Sequence, residues 1–498
     1  MPSQTYNEFI QRVKDINLAA SIEGILEWDQ ETYMPEKGAE TRAAQLALIA
    51  GVSHEKLIDP EFGHLLEKVE READPDPLVA TNVRELRRIY NRKVKLPTAL
   101  VQEIARTIAL SKEAWTQARR ESNFAHFAPH LEKLLDLKRQ VAERIGYKTE
   151  PYDALMDEFE PGARAAGVQS VFEGLKADLV PLVQAIKTAP RQPKTALLER
   201  KCPQAAQAAF GRRVVETMAF DFAAGRIDLT THPFCSGASP DDVRLTNRYD
   251  EHYLPMSLFG IMHEAGHGLY EQGLLVEHMH TPMGMSVSLG IHESQSRMWE
   301  NLVGRSRAFW VNWLAPLKAA FPTLADATLD DWYFAINTVR PSFIRVEADE
   351  VTYNLHIMLR FDLERQMIAG KLKIKDVPAA WNDTFRQFLG LTPPNDAEGC
   401  LQDIHWSMGI FGYFPTYALG NLYAAQFFDA ARQALPDLEA QIARGELHPL
   451  REWLRENIHR HGQRYRATEL VERVTGQPPS HRSFIEYLTR KYKPLYGF

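Results

Sequence analysis

His263, Glu264 and His267 stand in the order H-E-x-x-H. On an α-helix, positions i and i+4 share a face, so two imidazoles at this spacing can bind one Zn²⁺ at about 2.0–2.1 Å each. Glu264 follows the first histidine. There a carboxylate can take a proton from a metal-activated water instead of binding the ion. This trio is chemistry for hydrolysing amide bonds. In a chain with 17 histidines the pattern alone arises by chance often enough that its setting must carry the reading. Leu258, Ile261, Met262, Ala265 and Leu269 recur at spacings of three and four, which predicts an amphipathic helix with the motif on its polar edge. Pro255 suits the helix start. Gly266 and Gly268 each cost about 0.8–1.0 kcal/mol relative to alanine inside a helix. Their presence predicts close approach by another backbone or a ligand.

A catalytic zinc takes three protein ligands and leaves one position open. One extended zinc-peptidase pattern requires glycine at position 270 and histidine at 273. This chain has Tyr270 and Gly273, so the third ligand must come from elsewhere. Glu271, Glu277, Glu293 and Glu300 are the downstream candidates. Glu271 sits one turn beyond His267, in a row with both histidines that would not close a tetrahedron. Glu293 lies in the helical-looking segment Ile291-His292-Glu293-Ser294, after a loop rich in Ser and Gly, and is favoured. Glu300 is the runner-up. His292 points about 100° away from its neighbour Glu293 on a helix.

These residues need a scaffold, and the chain predicts a mostly helical one. Val83, Leu86, Tyr90 and Val94 repeat at three and four, as do Val168, Phe172, Leu175, Leu179, Leu182 and Ile186. Alternation typical of strands is confined to about residues 219–246, clearest at Arg226-Ile227-Asp228-Leu229-Thr230, so a small sheet should precede the motif helix. Turn residues cluster at Asp74–Pro77, Ala189–Pro193 and Thr392–Asn395, and none of these runs is long enough to be a flexible linker. We therefore expect a single catalytic domain over 1–498, with an N-terminal helical sub-structure over about 1–190 and a catalytic core over about 191–498. A net charge of −7 leaves no footprint for nucleic acid. No apolar run reaches the roughly 18 residues of a membrane span. Three scattered cysteines and a start without a leader pattern fit a reducing, cytoplasmic setting.

Several separate motifs resemble one family, the thermostable metallocarboxypeptidases typified by the Thermus aquaticus enzyme. They are Trp28-Asp29-Gln30-Glu31-Thr32-Tyr33-Met34-Pro35, His232-Pro233-Phe234, Asp242-Val243-Arg244-Leu245-Thr246, the H-E-x-x-H itself, His292-Glu293-Ser294, Ile344-Arg345-Val346-Glu347-Ala348-Asp349, and Gly399-Cys400-Leu401-Gln402-Asp403-Ile404-His405-Trp406. The resemblance covers most of the chain. It implies a mostly α fold with a deep groove and a small β-sheet beside the motif helix, similar to neurolysin and angiotensin-converting enzyme. It also implies release of single residues from peptide C-termini, one Zn²⁺ or Co²⁺ per chain, a homodimer, and Glu293 as third ligand.

Roles follow from chemistry and from the resemblance together. Glu264 is the expected general base and then acid. The oxyanion needs a donor besides the metal. His405 and a tyrosine are expected there, with Tyr417 taken for the site while Tyr413 and Tyr423 stay open. A free C-terminal carboxylate is best held by the rigid fork of arginine. The resemblance favours Arg345 for this, with Arg244 assisting, unless Arg244 is merely an ion pair to Asp242. His232 is expected near a sheet edge able to pair with an extended peptide. Asp349 or Asp403 could orient a ligating histidine. An oligopeptidase or endopeptidase with the same centre is the alternative. A scaffold that has lost catalysis is disfavoured by the intact His263, Glu264, His267 and Glu293.

Overall fold

The structure, a computed structural model, describes residues 3–498. Helices dominate, and among the described residues there is one three-stranded sheet. No described helix is long and apolar enough to cross a membrane. Two compact units emerge, each assembled from three separate stretches of chain. One combines the segment up to Lys93 with Pro193–Asn337 and Ala424–Pro478. The other combines Val94–Gln192, Thr338–Tyr423 and the chain from Pro479 onward. One crossing between them falls at the proline-bounded turn Ala189–Pro193.

In the first unit, Ser3 starts helix Gln4–Thr32 by accepting from the Tyr6 amide, a cap that satisfies an orphan donor. Phe9, Val13, Phe62, Leu66, Val69 and Leu86 from the early helices share one apolar core. Strands β1 (Gly225–Leu229), β2 (Cys235–Ser239) and β3 (Asp242–Asn247) are ordered β1-β3-β2. Central β3 runs parallel to β1 and antiparallel to β2, with Val243 and Leu245 fully buried. The end of the first helix is fastened to this sheet. The Arg226 and Arg244 guanidinium carbons lie 5.0 and 4.3 Å from the Trp28 ring, and the Tyr33 hydroxyl donates to Asp228 at 2.6 Å. Segment Ala424–Pro478 closes the unit: Arg466 donates to buried Glu85 at 2.8 Å, and Arg84 donates to the Gln463 carbonyl at 2.7 Å.

In the second unit, the stripe Val168, Phe172, Leu175, Leu179, Leu182 and Ile186 of helix Ala165–Lys187 is buried as its spacing predicts. Helix Tyr353–Ile368 is buried on nearly every face, yet carries Tyr353, His356, Arg360 and Glu364 along it. Buried polar groups are costly unless bonded, and the side chains of Tyr353, Arg360 and Glu364 in this row are each hydrogen-bonded. Glu364 accepts from the Tyr152 hydroxyl (2.7 Å), Trp406 Nε1 (2.9 Å) and the Gly412 amide (3.0 Å).

Candidate metal centre

Helix Leu254–Glu271 carries the motif, with Pro255 in its first turn. It packs against helix Leu289–Arg297, which Ser288 caps by accepting from the Ile291 amide. The two helices meet backbone to backbone. A Cβ on Gly266 would lie 2.6 Å from Ser296 Cα and 2.7 Å from the Gln295 carbonyl oxygen, and one on Gly268 would strike Leu245 and Phe220 at 2.8 Å. The backbone approach expected at both glycines is present at Gly266, whereas at Gly268 the close neighbours are the Leu245 and Phe220 side chains. At Gly266 the neighbour is the helix holding Glu293.

That approach brings three donors together. Glu293 Oε2 stands 3.6 Å from His263 Nε2 and 3.5 Å from His267 Nε2, and donor atoms of His263, His267 and Glu293 all lie within 4.8 Å of one another. Two donors each about 2.0–2.1 Å from a tetrahedral ion stand roughly 3.3 Å apart, so the set fits a bound metal after a small contraction. Its electrostatics fit as well. Burial drives the His267 imidazole down to about 3, leaving it neutral near pH 7. Burial also works against charge on Glu293, but Arg297 and the two histidines hold it well below the usual carboxylate range. For His263, the opposing pull of Glu293 and Glu300 outweighs burial and raises it. Glu264 is buried beside these donors without joining them, and burial pushes its carboxyl up to about 7.

The other glutamates of the sequence reading are used differently. Glu271 Oε1 lies 2.8 Å from His292 Nε2, and the His292 ring stacks on His267 at 4.4 Å. Glu300 Oε2 lies 2.9 Å from His263 Nδ1. Glu277 sits exposed in the short turn Val276–His278. His232 is exposed in the connection entering edge strand β2. Two residues on, Phe234 shares three hydrogen bonds with Thr246 of β3: its amide donates to Thr246 Oγ1 at 2.8 Å, and its carbonyl accepts from that hydroxyl at 2.9 Å and from the Thr246 amide at 3.0 Å. Arg244 donates to both Asp242 oxygens at 2.8 and 2.9 Å.

The second unit gathers the remaining predicted residues. Arg345 is 5% exposed. It donates through Nη2 to Asp403 at 2.8 Å and through Nη1 to the Tyr353 hydroxyl at 2.9 Å. Arg360 donates to Asp403 at 2.6 Å. Although burial opposes its charge, the two arginines hold Asp403 far below the carboxylate range. Burial, aided by the same arginines against the pull of Asp403, lowers His405 to about 4. The Tyr417 hydroxyl stands 3.5 Å from His405 Nε2, and Tyr413 packs on the same ring at 5.6 Å. Tyr423 is instead buried with its hydroxyl 3.3 Å from Glu160. Asp349 spends its oxygens on the amides of Arg340, Val351 and Thr352. Arg360 and Tyr353 have no motif of their own, although the polar row 353, 356, 360, 364 on an apolar helix is legible in the sequence. Arg297 and Arg305, beside Glu293 and Glu300, have no motif of their own either.

Comparison with known proteins places the chain in a family. Residues 8–492 match the family model for the Carboxypeptidase Taq (M32) metallopeptidases. The chain is 44% identical to thermostable carboxypeptidase 1 of Thermus thermophilus over the full length of both. It is similar to the crystal structure of the M32 carboxypeptidase from Deinococcus radiodurans R1, with a TM-score of 0.97 and 42% identity over 100% of both chains. It also resembles Trypanosoma cruzi metallocarboxypeptidase 1, with a TM-score of 0.93 and 32% identity over 98% of this chain and 99% of that one. A helical body with a small sheet, two histidines and a glutamate converging beside a buried glutamate, and full-length kinship lead to one conclusion: the chain belongs to the Carboxypeptidase Taq (M32) metallopeptidase family and is a metal-dependent carboxypeptidase acting on peptides.

Proposed function

We propose that the chain, working as one catalytic domain over 1–498, removes single residues from peptide C-termini, with His263, His267 and Glu293 holding one Zn²⁺ or Co²⁺. The observation that carries this reading is the approach of Glu293 Oε2 to both histidine Nε2 atoms, with Glu264 buried alongside. An ion held there supplies Lewis acidity, polarising the scissile carbonyl and acidifying water. Glu264 accepts the proton of the attacking water on its carboxylate and returns it to the departing amine. Its buried setting, which raises its proton affinity, suits a group that must both take and give a proton near neutrality. His405 and Tyr417 donate to the developing oxyanion. We assign Arg345 to the free C-terminal carboxylate of the peptide, which bidentate recognition by arginine suits, and we assign Arg244 and His232 to substrate binding as well. We further propose a cytoplasmic homodimer.

The test is mass spectrometry of the products from one short peptide, supplied with a free and with an amidated C-terminus, with and without chelator. Stepwise loss of single residues from the free peptide alone, abolished by chelator, is the expected result. Equal cleavage of both peptides at internal bonds would replace this reading with the oligopeptidase alternative.

A further inference from the structure

We infer that Glu300 is a positioning residue for the metal: its carboxylate accepts the Nδ1–H of His263 and so turns Nε2, with its lone pair, toward His267 and Glu293. The inference rests on the ligand assignment proposed above. Its geometry is direct. His263 Nδ1 and Glu300 Oε2 are 2.9 Å apart, while the opposite edge of the same ring faces Glu293 Oε2 at 3.6 Å. Arg297 donates from Nη1 to Glu300 at 3.2 Å, and Arg305 Nη2 stands 3.7 Å from its other oxygen. Guanidinium groups thus approach both Glu300 oxygens, and the carboxylate faces the Nδ1 edge of His263. A ring that gives its Nδ1–H to that carboxylate presents Nε2 as its lone-pair donor.

Three features indicate that this is a built device. Arg297 serves both carboxylates, donating from Nε to Glu293 at 2.6 Å as well as to Glu300, so one cation fixes the third ligand and the brace behind the first. The chain also leaves α-helical register here. Residues Met298–Val303 form a π-helical turn closed by the Gly304 amide on the Trp299 carbonyl at 2.9 Å. In an uninterrupted α-helix, Glu293 and Glu300 would stand in one column roughly 10.5 Å apart. Here Glu300 lies within the wider turn, and the two carboxylates face opposite edges of one imidazole; π-turns recur at functional sites. Finally, the turn presses on the motif helix where it matters: a Cβ on Gly304 would lie 2.7 and 2.8 Å from Cε and Sδ of Met262, the residue before His263. The other ligand has no such support. His267 Nδ1 is buried without a hydrogen-bond partner among the described residues. The brace on His263 is thus what fixes a ligand tautomer.

The test measures zinc affinity of the full chain by competition with a chromophoric chelator, beside the melting temperature of the metal-free protein, in Glu300→Gln and Glu300→Ala. A zinc dissociation constant about 10- to 100-fold weaker, with the metal-free melting temperature unchanged in Glu300→Gln, is the expected result. A constant within twofold of the parent overturns the inference, as does a lowered melting temperature with unchanged affinity, which would mark Glu300 as structural only. Should Glu300→Ala fail to fold, the isosteric Gln variant decides. His263→Ala serves as the control. If it too retains full zinc affinity, the ligand assignment fails; if it loses zinc while Glu300→Gln does not, the positioning role alone fails.

Discussion

Replacing Gly266 with alanine sets two effects against each other, and the structure decides between them. In an open helical position the change should stabilise by about 0.8–1.0 kcal/mol. Gly266 is not open. Its new Cβ would sit 2.6 Å from Ser296 Cα, where carbon atoms settle at about 3.5–4.0 Å. The obstacle is backbone, which cannot rotate aside, so helix Leu289–Arg297 must retreat by about 1 Å. Overpacking of this kind costs about 1–3 kcal/mol and exceeds the propensity gain. That retreat carries Glu293 away from His263 and His267, whereas metal–ligand distances tolerate only about 0.2 Å. Gly266→Ala should therefore lower the melting temperature and weaken zinc binding by at least about tenfold, a loss typical of disturbed metal support. Gly167, a helical glycine with nothing within 4 Å of its would-be Cβ, is the control, and Gly167→Ala should be neutral or stabilising. Thermal melts of the metal-free proteins and chelator competition give the answer. A Gly266→Ala protein that melts higher and keeps its zinc would refute the argument that this contact sets the separation of the ligands.

Other outcomes follow from the same geometry. Glu264→Gln should keep its metal by elemental analysis yet lose at least about a hundredfold in turnover, as general-base removals do; retained activity would remove Glu264 from the mechanism. Glu293→Ala should lose metal during dialysis, and full occupancy would exclude it as a ligand. Burial pushes Glu364 up to about 7 from an ordinary 4.5, so the folded protein binds a proton there that the unfolded chain has already released. Its contribution is complete below about pH 4.5 and disappears as pH rises through about 7. At 1.36 kcal/mol per unit the change is on the order of 3 kcal/mol. Denaturant unfolding from pH 5 to 8 should show the decline, and Glu364→Gln should flatten it.

Much of the centre was legible because local rules govern it. The i, i+4 pair, the proline at the helix start and the costly Gly266 and Gly268 all speak through one helix, and each has a visible counterpart. The small sheet was likewise announced by alternation around Arg226–Thr230. Glu300 was harder. The proposed ligand and the proposed brace differ in which edge of His263 their carboxylates meet, and Glu300 lies in a π-turn with no sequence signature beyond Gly304. Tyr353 and Arg360 gain meaning from Arg345 and Asp403, partners that only tertiary folding brings beside them. The regrouping of 1–93 with 193–337 and 424–478 is also beyond periodicity, since helix faces record that they are covered and not by which segment.

That regrouping bears on how the protein is made. The unit holding His263, His267 and Glu293 is not complete when those residues leave the ribosome. Buried Glu85 waits for Arg466, and Gln295, two residues from Glu293, waits for His459. At roughly 5–20 residues per second, synthesis keeps His263, His267 and Glu293 waiting for seconds before Ala424–Pro478 arrives. A chain shortened to residue 423 would lose part of the unit around its own proposed metal ligands, however far along the sequence those residues stand.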